Sequence, residues 1–496
     1  MRALQDMVVT RGSEQAGDDA AAIAGLRNAF ERQKQAFVAH PCPSLPERQA
    51  HLAALAGMML ANRDRIRKAI SDDFCVHPEL FTDLVEVLGV AGRVGYALSQ
   101  LEAWMRDEER YADPALFGTG RAFIRYQPKG VIGNIVPWNF PFDIGVGPLV
   151  EMLAAGNRVI VKPSDYTPAC GSLLAEMFRA TFDPDHVTTA VGGIEMARAF
   201  PTLPWNHLLY TGSPHIGREV MTAAARNLTP VTLELGGKCP AILLDDAIDK
   251  TSVASILGTK LIKNGQMCIS VDHCLVPRKR VPEFVELARR HMRDNMPSYS
   301  RSGDCTGIIT ERHLDRLLKL LNQARETGHE IVELEPGAVV DRKTRRMPLV
   351  LVVDPRDDLE LMKEEIFGPI LPIKAYDTVD DAIAFVNAGE RPLGLYVFGH
   401  DDAQTGRVLA QTISGGACVN TCATQGALPS LGFGGNGMSG MGRHHGIEGF
   451  REFSNPRGVF VRGQPDLMDA FFPPYGDTLA AITAAAFSQA TGGASK

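Results

Sequence analysis

The stretch Val131-Ile132-Gly133-Asn134-Ile135-Val136-Pro137-Trp138-Asn139-Phe140-Pro141 (residues 131–141) joins a short β-branched run to a turn bounded by two prolines. Such a run predicts a buried strand, and a segment with helical apolar spacing, 142–153, follows it. The same criteria predict strands at 158–161, 207–210 and 231–235, with helices between them. Strands and helices that alternate in this way favour a parallel sheet with ligand sites at the carboxyl ends of its strands.

A second alternation of strands and helices follows Gly237. Its predicted elements are strands 241–244, 271–276 and 349–353 and helices 250–263 and 281–293. Helical spacing also precedes the first strand, at 21–37 and 47–70. At 496 residues the chain is too long for one ordinary hydrophobic core. We therefore expect an α/β protein of two or three domains.

Composition and charge narrow the class of protein. The net charge is −7 and the basic residues are dispersed, which argues against a nucleic-acid partner. Nine cysteines occur without any Cys-x-x-Cys pair, so we expect free thiols in a reducing compartment. No apolar run approaches the roughly 20 residues of a membrane helix. These features predict a cytoplasmic protein that has no membrane partner.

Two residues suggest covalent chemistry at a carbonyl carbon. Cys268 ends the run Asn264-Gly265-Gln266-Met267-Cys268, 34 residues after Glu234. A thiolate adds to carbonyl carbons, and a carboxylate in an apolar strand becomes a better proton acceptor near neutral pH. Each residue also has a simpler interpretation. Cys268 would then be a buried packing residue, and Glu234 a strand-end carboxylate paired with Lys238.

The proline-bounded turn holds Asn139 at the end of a predicted strand. Its amide N–H would donate to a developing oxyanion, or its side chain would cap the following helix. Pro141 fits the first position of that helix, where its missing N–H costs nothing.

Two other strand ends and one segment before a Gly-Pro turn have features of a nucleotide site. The run Thr211-Gly212-Ser213-Pro214 ends a strand and starts a helix whose free N–H groups suit a pyrophosphate. The spacing from Gly212 to Gly217 is not that of the dinucleotide fingerprint, and many helices that bind nothing have such caps. Lys162 would reach ribose hydroxyls or remain solvated. The run 364–369, Glu-Glu-Ile-Phe-Gly-Pro, would hold a ribose and a nicotinamide ring, or form an acidic turn over a buried Phe.

Seven motifs in this order resemble the aldehyde dehydrogenase superfamily over about residues 45–463. They are PWNFP (137–141), VKPSD (161–165), YTGS (210–213), LELGGK (233–238), GQMC (265–268), EEIFGP (364–369) and FGGNGMSGMGR (433–443). The resemblance implies a Rossmann-type cofactor domain, a second α/β catalytic domain and a bridging β arm. The implied segments are an NAD(P)-binding domain at 1–110 and 128–236, a catalytic domain at 237–453, an oligomerisation arm at 111–127 and 454–463, and a tail at 464–496.

The resemblance also implies roles for individual residues. Cys268 is the expected nucleophile, Glu234 the general base, and Asn139 forms the oxyanion hole with the backbone N–H of Cys268. No metal is expected, and the resemblance implies a small aldehyde as substrate and a homodimer as the assembly. The residues expected to bind the cofactor are Ile135, Pro137, Trp138, Lys162, Ser164, Asp165, Gly212, Ser213, Gly217, Leu235, Glu365 and Phe367.

The expected cofactor is NAD, and NADP stays open. Asp165 stands where many NAD-preferring members have Glu, and the shorter side chain discriminates less against a 2′-phosphate. The run Leu428–Gly435 resembles the class 3 and fatty-aldehyde branch, and Phe472–Gly476 resembles bacterial coniferyl aldehyde dehydrogenases. Aromatic, fatty and medium-chain aldehydes all remain candidates. A CoA-acylating enzyme, a thiol esterase and a non-catalytic nucleotide-binding protein are the alternatives to hydrolytic aldehyde oxidation.

Overall fold

The computed structural model describes residues 2–492, with side chains for 19–491. Met1 and residues 493–496 belong to the first and last predicted segments and lie outside the described residues.

The elements alternate along most of the chain. The strands are β1 Glu108–Arg110, β2 Arg121–Pro128, β3 Val131–Ile135, β4 Arg158–Lys162, β5 Val187–Thr189, β6 His207–Gly212, β7 Val231–Leu235, β8 Pro240–Leu243, β9 His273–Pro277, β10 Ile331–Glu333, β11 Val350–Val353, β12 Ile370–Tyr376, β13 Gly394–Phe398, β14 Gly416–Val419, β15 Gly440–Met441 and β16 Ser454–Val461.

The helices come between these strands and at both ends of the chain. They are α1 Arg2–Ala39, α2 Leu45–Ala61, α3 Arg63–Phe74, α4 Glu79–Phe81, α5 Leu88–Trp104, α6 Pro114–Phe117, α7 Asp143–Ala154, α8 Pro168–Thr181, α9 Ile194–Ala199, α10 Pro214–Ala225, α11 Lys250–Leu261, α12 Val281–Asn295, α13 Glu311–Glu326, α14 Glu360–Lys363, α15 Val379–Ala388, α16 Asp402–Gln411, α17 Thr424–Ala427, α18 Gly446–Glu452 and α19 Asp477–Gly492. A π-helical turn, Thr82–Val87, precedes α5.

The first large sheet has six strands in the order β15-β7-β6-β3-β4-β5. All of its pairs are parallel except β15 with β7. The middle strands are nearly continuous apolar runs because helices cover both faces of the sheet. The prediction of a parallel sheet from residues 131–235 is confirmed.

The second large sheet has seven strands in the order β10-β11-β12-β9-β8-β13-β14. It is parallel apart from the edge pair β10 and β11. The prediction of a second α/β unit after Gly237 is confirmed. Helix α11 ends at Leu261, two residues before the predicted end, because Lys263 and Asn264 adopt left-handed backbone angles.

A separate three-stranded sheet has the order β1-β2-β16 and is antiparallel throughout. Its long pair, β2 with β16, matches the sequence expected for the arm, whereas β1 lies before the expected start at Tyr111. The segment from Tyr111 to Gly120 instead contains the short helix α6.

The last part of the expected catalytic segment returns to the six-stranded sheet. Strand β15 pairs with β7, and α18 packs on α7. Residues 440–452 therefore contact the six-stranded sheet and its helices, although the expected catalytic domain extended to residue 453.

The helical segment predicted at 47–70 consists of two helices. Asn62 separates α2 from α3, and its Nδ2 donates to the Met58 carbonyl oxygen at 2.9 Å. Asn side chains compete in this way for backbone hydrogen bonds, which interrupts helices.

The C-terminal helix α19 does not pack on the described body of the protein. Most of its side chains are exposed, including Phe487 at 73%. From the sequence, the Ala-rich stretch Leu479–Ala490 is too short to span a bilayer and is expected to pack on the body or on a partner subunit. Packing on the body is wrong, since the side chains face solvent. Within residues 2–492, no helix is both long enough and apolar enough to cross a membrane.

Candidate active site

The carboxyl edge of the six-stranded sheet brings most predicted site residues together. Strands β3, β4, β6 and β7 all run in the same direction and end at Ile135, Lys162, Gly212 and Leu235. In the ladder Ile135 is paired with Lys162, and Gly212 with Leu235. The turn with Pro137, Trp138 and Asn139 and the segments with Ser164, Asp165 and Ser213 follow directly from these ends.

The loop before Cys268 has an unusual backbone. Lys263, Asn264 and Gly265 have φ values of 46°, 53° and 80°. A Cβ atom at Gly265 would collide with the carbonyl oxygen of Gly368. Only glycine allows this approach, which holds the Cys268 loop against the 364–369 segment.

The Gln266 side chain anchors the same loop. Its Nε2 donates to the carbonyl oxygens of Lys263 at 2.9 Å and Gly307 at 3.0 Å, and its Oε1 accepts from the Ile309 N–H at 2.9 Å. The carbonyl oxygen of Gln266 accepts a hydrogen bond from Nδ2 of Asn139 at 3.2 Å.

Asn139 does not cap a helix. Helix α7 starts at Asp143, two residues after the position expected for Pro141, because the N–H groups of Phe142 and Asp143 donate to Glu86. The Asn139 side chain is 3% exposed and faces the Cys268 loop. The capping interpretation of Asn139 is thus excluded.

Cys268 is partly exposed, while its loop is buried. Burial raises the pKa of its thiol to about 12, and the charges of Glu365 and Glu234 raise that pKa further. The thiol is therefore protonated at neutral pH.

Glu234 is buried near the end of β7, where its side chain is 2% exposed. Neither of its carboxylate oxygens has a hydrogen-bond partner among the described residues. Burial raises the pKa of Glu234 well above its usual value, and only Arg443 opposes this. The proposed pairing with Lys238 does not occur, because Lys238 bonds to the Asp272 carboxylate.

The glycine-rich segment 433–443 closes the edge of the sheet beside Glu234. Gly440 is the ladder partner of Glu234, and the Leu235 N–H donates to the Ser439 carbonyl oxygen at 3.1 Å. Arg443 donates to the carbonyl oxygens of Gly415 at 3.0 Å and Gly434 at 3.2 Å. This segment therefore keeps Glu234 out of bulk water.

Glu365 and Phe367 of the 364–369 segment lie at the same edge of the sheet. A Cβ atom at Gly236 would collide with the Glu365 carboxylate, so that carboxylate lies directly beside β7. Burial and Asp272 raise the pKa of Glu365 to about 8. The Phe367 ring packs edge-on against Trp138, with ring centroids 5.3 Å apart.

Comparison with known proteins identifies the family. Residues 12–459 match the Aldehyde dehydrogenase family. The chain belongs to this family.

Two kinds of relative support that assignment. A probable coniferyl aldehyde dehydrogenase from Caulobacter vibrioides is 40% identical over 458 residues, which cover 91% of this chain and 94% of the relative. The substrate-bound Staphylococcus aureus AldH has a TM-score of 0.87 at 30% identity, over 92% of this chain and 99% of its own. A Mycobacterium tuberculosis aldehyde dehydrogenase solved with NAD⁺ has a TM-score of 0.78 at 28% identity, over 90% of both chains.

The sheet edge of this aldehyde dehydrogenase fits a nicotinamide dinucleotide. The Ser213 hydroxyl caps α10, accepting from the Ile216 N–H at 3.4 Å. Gly217 lets α10 approach β7, since a Cβ there would lie 2.9 Å from Leu235. The Thr211 hydroxyl is buried at the end of β6 without a partner among the described residues. A helix start with free N–H groups and an unused hydroxyl suits a pyrophosphate.

The Lys162 side chain of this enzyme is buried, and its ammonium group donates to the Asp165 carboxylate at 2.6 Å and to the Pro163 carbonyl oxygen at 3.0 Å. Asp165 is the exposed member of the pair. The two side chains together present an ammonium donor and a carboxylate acceptor at the sheet edge, and this combination suits ribose hydroxyls.

Several residues of the site had no assigned role in the sequence. Arg443 and Asp272 are single charged residues whose partners are distant in the chain. Lys263 and Glu86 form an ion pair across 177 residues. The only sequence signal for Arg443 is that it ends the glycine-rich motif, and the other three residues have none.

Proposed function

We propose that this aldehyde dehydrogenase oxidises an aromatic aldehyde of the coniferaldehyde type to its carboxylic acid, with NAD as the favoured cofactor. NAD(P)-dependent aldehyde oxidation is the activity of the family. The substrate class is supported by the similarity to the probable coniferyl aldehyde dehydrogenase of Caulobacter vibrioides. The observation that carries the chemistry is the buried carboxyl of Glu234, which has no hydrogen-bond partner among the described residues. Its charge raises the pKa of the Cys268 thiol.

Cys268 forms the covalent bond to substrate. Its thiol releases its proton to water as sulfur adds to the aldehyde carbon, and the carbonyl π electrons move to oxygen to give the thiohemiacetal oxyanion. Asn139 Nδ2 and the Cys268 backbone N–H donate to this oxyanion. Nδ2 bonds the Gln266 carbonyl oxygen in this structure, so the amide is held against the nucleophile loop before substrate arrives.

The cofactor supplies one step of the chemistry: when bound, its nicotinamide ring accepts the hydride that leaves the thiohemiacetal carbon. The residues proposed to hold it are the Lys162 and Asp165 pair for the adenosine ribose, Ser213 for the pyrophosphate and Glu365 for the nicotinamide ribose. The Phe367 ring, braced by Trp138, would border the nicotinamide.

Glu234 completes the cycle by hydrolysis. Burial raises the pKa of Glu234, which makes its carboxylate form a stronger base. This carboxylate takes a proton from water, and the resulting hydroxide attacks the thioester carbon and expels the Cys268 thiolate. This role distinguishes the enzyme from a CoA-acylating one, in which CoA takes the place of water. A turnover rate that is unchanged by added CoA supports hydrolysis.

We also propose that the enzyme acts as a homodimer in the cytoplasm. The three-stranded sheet leaves the β16 edge without a partner strand among the described residues, and exposed edges favour pairing with another chain. Cys268 has to be reduced to react, which a reducing compartment permits.

The test compares catalytic efficiency for coniferaldehyde, hexanal and decanal with NAD and with NADP. We expect kcat/KM to be highest for coniferaldehyde with NAD. A clear preference for decanal would assign the enzyme to fatty aldehydes. No aldehyde-dependent NADH formation with any of the three would overturn the proposal.

A further inference from the structure

A fully buried ion pair joins the Cys268 loop to the Asn139 turn. Lys263 Nζ lies 2.8 Å from Glu86 Oε1, and both side chains are 0% exposed. Such a pair is costly because both charges leave water, and apolar residues of similar volume often stabilise a core as well or better. A role besides stability is therefore worth seeking in what the pair connects.

The second oxygen of Glu86 fixes the start of α7. Glu86 Oε2 accepts from the backbone N–H groups of Phe142 at 2.9 Å and Asp143 at 2.8 Å. These two residues directly follow the 137–141 turn. Glu86 itself lies in the π-helical turn Thr82–Val87, and such turns are frequent at functional sites. One carboxylate thus binds both Lys263 and the backbone that directly follows the turn.

Lys263 is held from the other side by aromatic rings and by its own backbone. Its ammonium group lies 4.4 Å from the centre of the Phe140 ring and 4.8 Å from that of Phe74. Phe140 is the residue after Asn139. The Lys263 carbonyl oxygen accepts from the Gln266 side chain at 2.9 Å, so the lysine also sets the course of the loop towards Cys268.

We propose that Lys263 and Glu86 are positioning residues for aldehyde oxidation, which set the distance between the Asn139 amide and Cys268. The inference rests on the roles proposed above for Asn139 and Cys268. Neither Lys263 nor Glu86 touches the reacting atoms. Their effect comes through the placement of the amide, and a displacement of about 1 Å in such a group costs about 100-fold in rate.

Two variants test this role. Lys263→Met removes the link and leaves Glu86 as a lone buried charge, which endangers folding. The double variant Lys263→Met/Glu86→Gln removes that charge and keeps a carbonyl oxygen for the N–H groups of α7. We expect the melting temperature of the double variant to approach that of the wild type.

The kcat of the double variant should remain about 10- to 100-fold below that of the wild type, on the order of the loss caused by a misplaced group, with little change in the KM for the aldehyde. Recovery of both kcat and melting temperature would show that the pair only stabilises, and would overturn the proposal.

Arg67→Met is the matched control. Arg67 Nε donates to the Asp83 carboxylate at 2.8 Å. Asp83 lies in the same π-helical turn as Glu86, but on the outer side of that turn. We expect a lower melting temperature and an unchanged kcat. If Arg67→Met lowered kcat as much as the double variant does, any disturbance of this π-helical turn would lower kcat. That result would contradict positioning by Lys263.

A double-mutant cycle with Asn139→Ala decides whether Lys263 acts through the amide. Once the amide is absent, its placement no longer matters, so adding Lys263→Met/Glu86→Gln to Asn139→Ala should cost less than about 3-fold in kcat. A further loss equal to that seen in the wild-type background would show independent action and overturn the inference. A wild-type enzyme without aldehyde-dependent NADH formation would instead remove the proposed function, so the two failures are distinguishable.

Discussion

Asn139 donates from Nδ2 to the carbonyl oxygen of Gln266, at 3.2 Å, and Gln266 lies two residues before Cys268. The bond joins the end of a strand in the six-stranded sheet to the loop that enters the seven-stranded sheet. The amide and the nucleophile are therefore brought together by two units of the fold.

Asn139→Ala should lower kcat by about 100- to 1,000-fold, because it removes one donor to the oxyanion. The affinity for NAD should not change. Steady-state kinetics and a binding titration check the two expectations. Asn227→Ala is the control, since Asn227 makes a similar bond to the Thr202 carbonyl oxygen far from the site, at 2.8 Å. Equal kcat values for the two variants would remove Asn139 from catalysis.

Glu365→Gln should make Cys268 more reactive above pH 8. The ionised Glu365 carboxylate raises the pKa of the Cys268 thiol, so its removal increases the thiolate fraction. The gain should appear above pH 8 because the pKa of Glu365 is raised to about 8, and below this the group is already neutral. The rate of iodoacetamide inactivation measures the change.

Glu364→Gln is the matched control for Glu365→Gln, since Glu364 is the adjacent but exposed carboxylate. We expect its inactivation rate to follow the wild type from pH 7 to pH 10. Identical pH profiles for both variants would show that Glu365 does not act on the sulfur.

Glu151→Gln should stabilise the fold at alkaline pH. Glu151 is buried on α7, and burial raises its pKa from 4.5 to about 7. Between these values the folded state binds more protons than the unfolded state, so this group lowers the free energy of unfolding as pH rises. The variant should be more stable than wild type by about 3 kcal/mol at pH 8 and equal to it near pH 4.5.

Urea denaturation at several pH values measures the effect of Glu151→Gln. The exposed carboxylate of Glu448 provides the control, and Glu448→Gln should leave the pH dependence of stability unchanged. A constant difference between wild type and Glu151→Gln at all pH values would contradict the linkage.

Asp165→Ser should shift the cofactor preference towards NADP. The Asp165 carboxylate, 38% exposed beside Lys162, would repel a 2′-phosphate. Its removal should raise the ratio of kcat/KM for NADP to that for NAD by about 5-fold, because a surface charge contact contributes about 1 kcal/mol. Asp183→Ser, at an exposed carboxylate of the same unit, should leave the ratio unchanged. An unchanged ratio in Asp165→Ser would show that this residue does not contact the ribose.

The local pattern was sufficient to predict two parallel sheets, but not to find all of their strands. Runs such as 131–136 and 231–235 are β-branched, apolar and followed by turn residues, so these strands and their carboxyl ends could be placed from the sequence. Strands β5, β12, β13 and β14 were not predicted. Because parallel strands align these ends, the convergence of Asn139, Lys162, Ser213 and Glu234 also followed.

Contacts between distant segments were beyond the sequence pattern. The ion pair between Lys263 and Glu86 depends on the left-handed backbone at Lys263. Nothing in the sequence indicates that this lysine adopts such a conformation. The return of residues 440–452 to the six-stranded sheet depends on the pairing of the two-residue strand β15. Two residues are too few to show an alternating apolar pattern in the sequence. The capping interpretation of Asn139 failed because Glu86, not Asn139, accepts from the start of α7.

The most direct test of the account is to trap the acyl group on the Glu234→Gln enzyme. Loss of the general base should slow thioester hydrolysis by about 100- to 10,000-fold while acylation continues. After mixing with coniferaldehyde and NAD and quenching in acid, peptide mass spectrometry should find the acyl group on Cys268 alone among the nine cysteines. Acylation of another cysteine such as Cys239, or a Glu234→Gln enzyme with the wild-type steady-state rate and no trapped acyl group, would contradict the account.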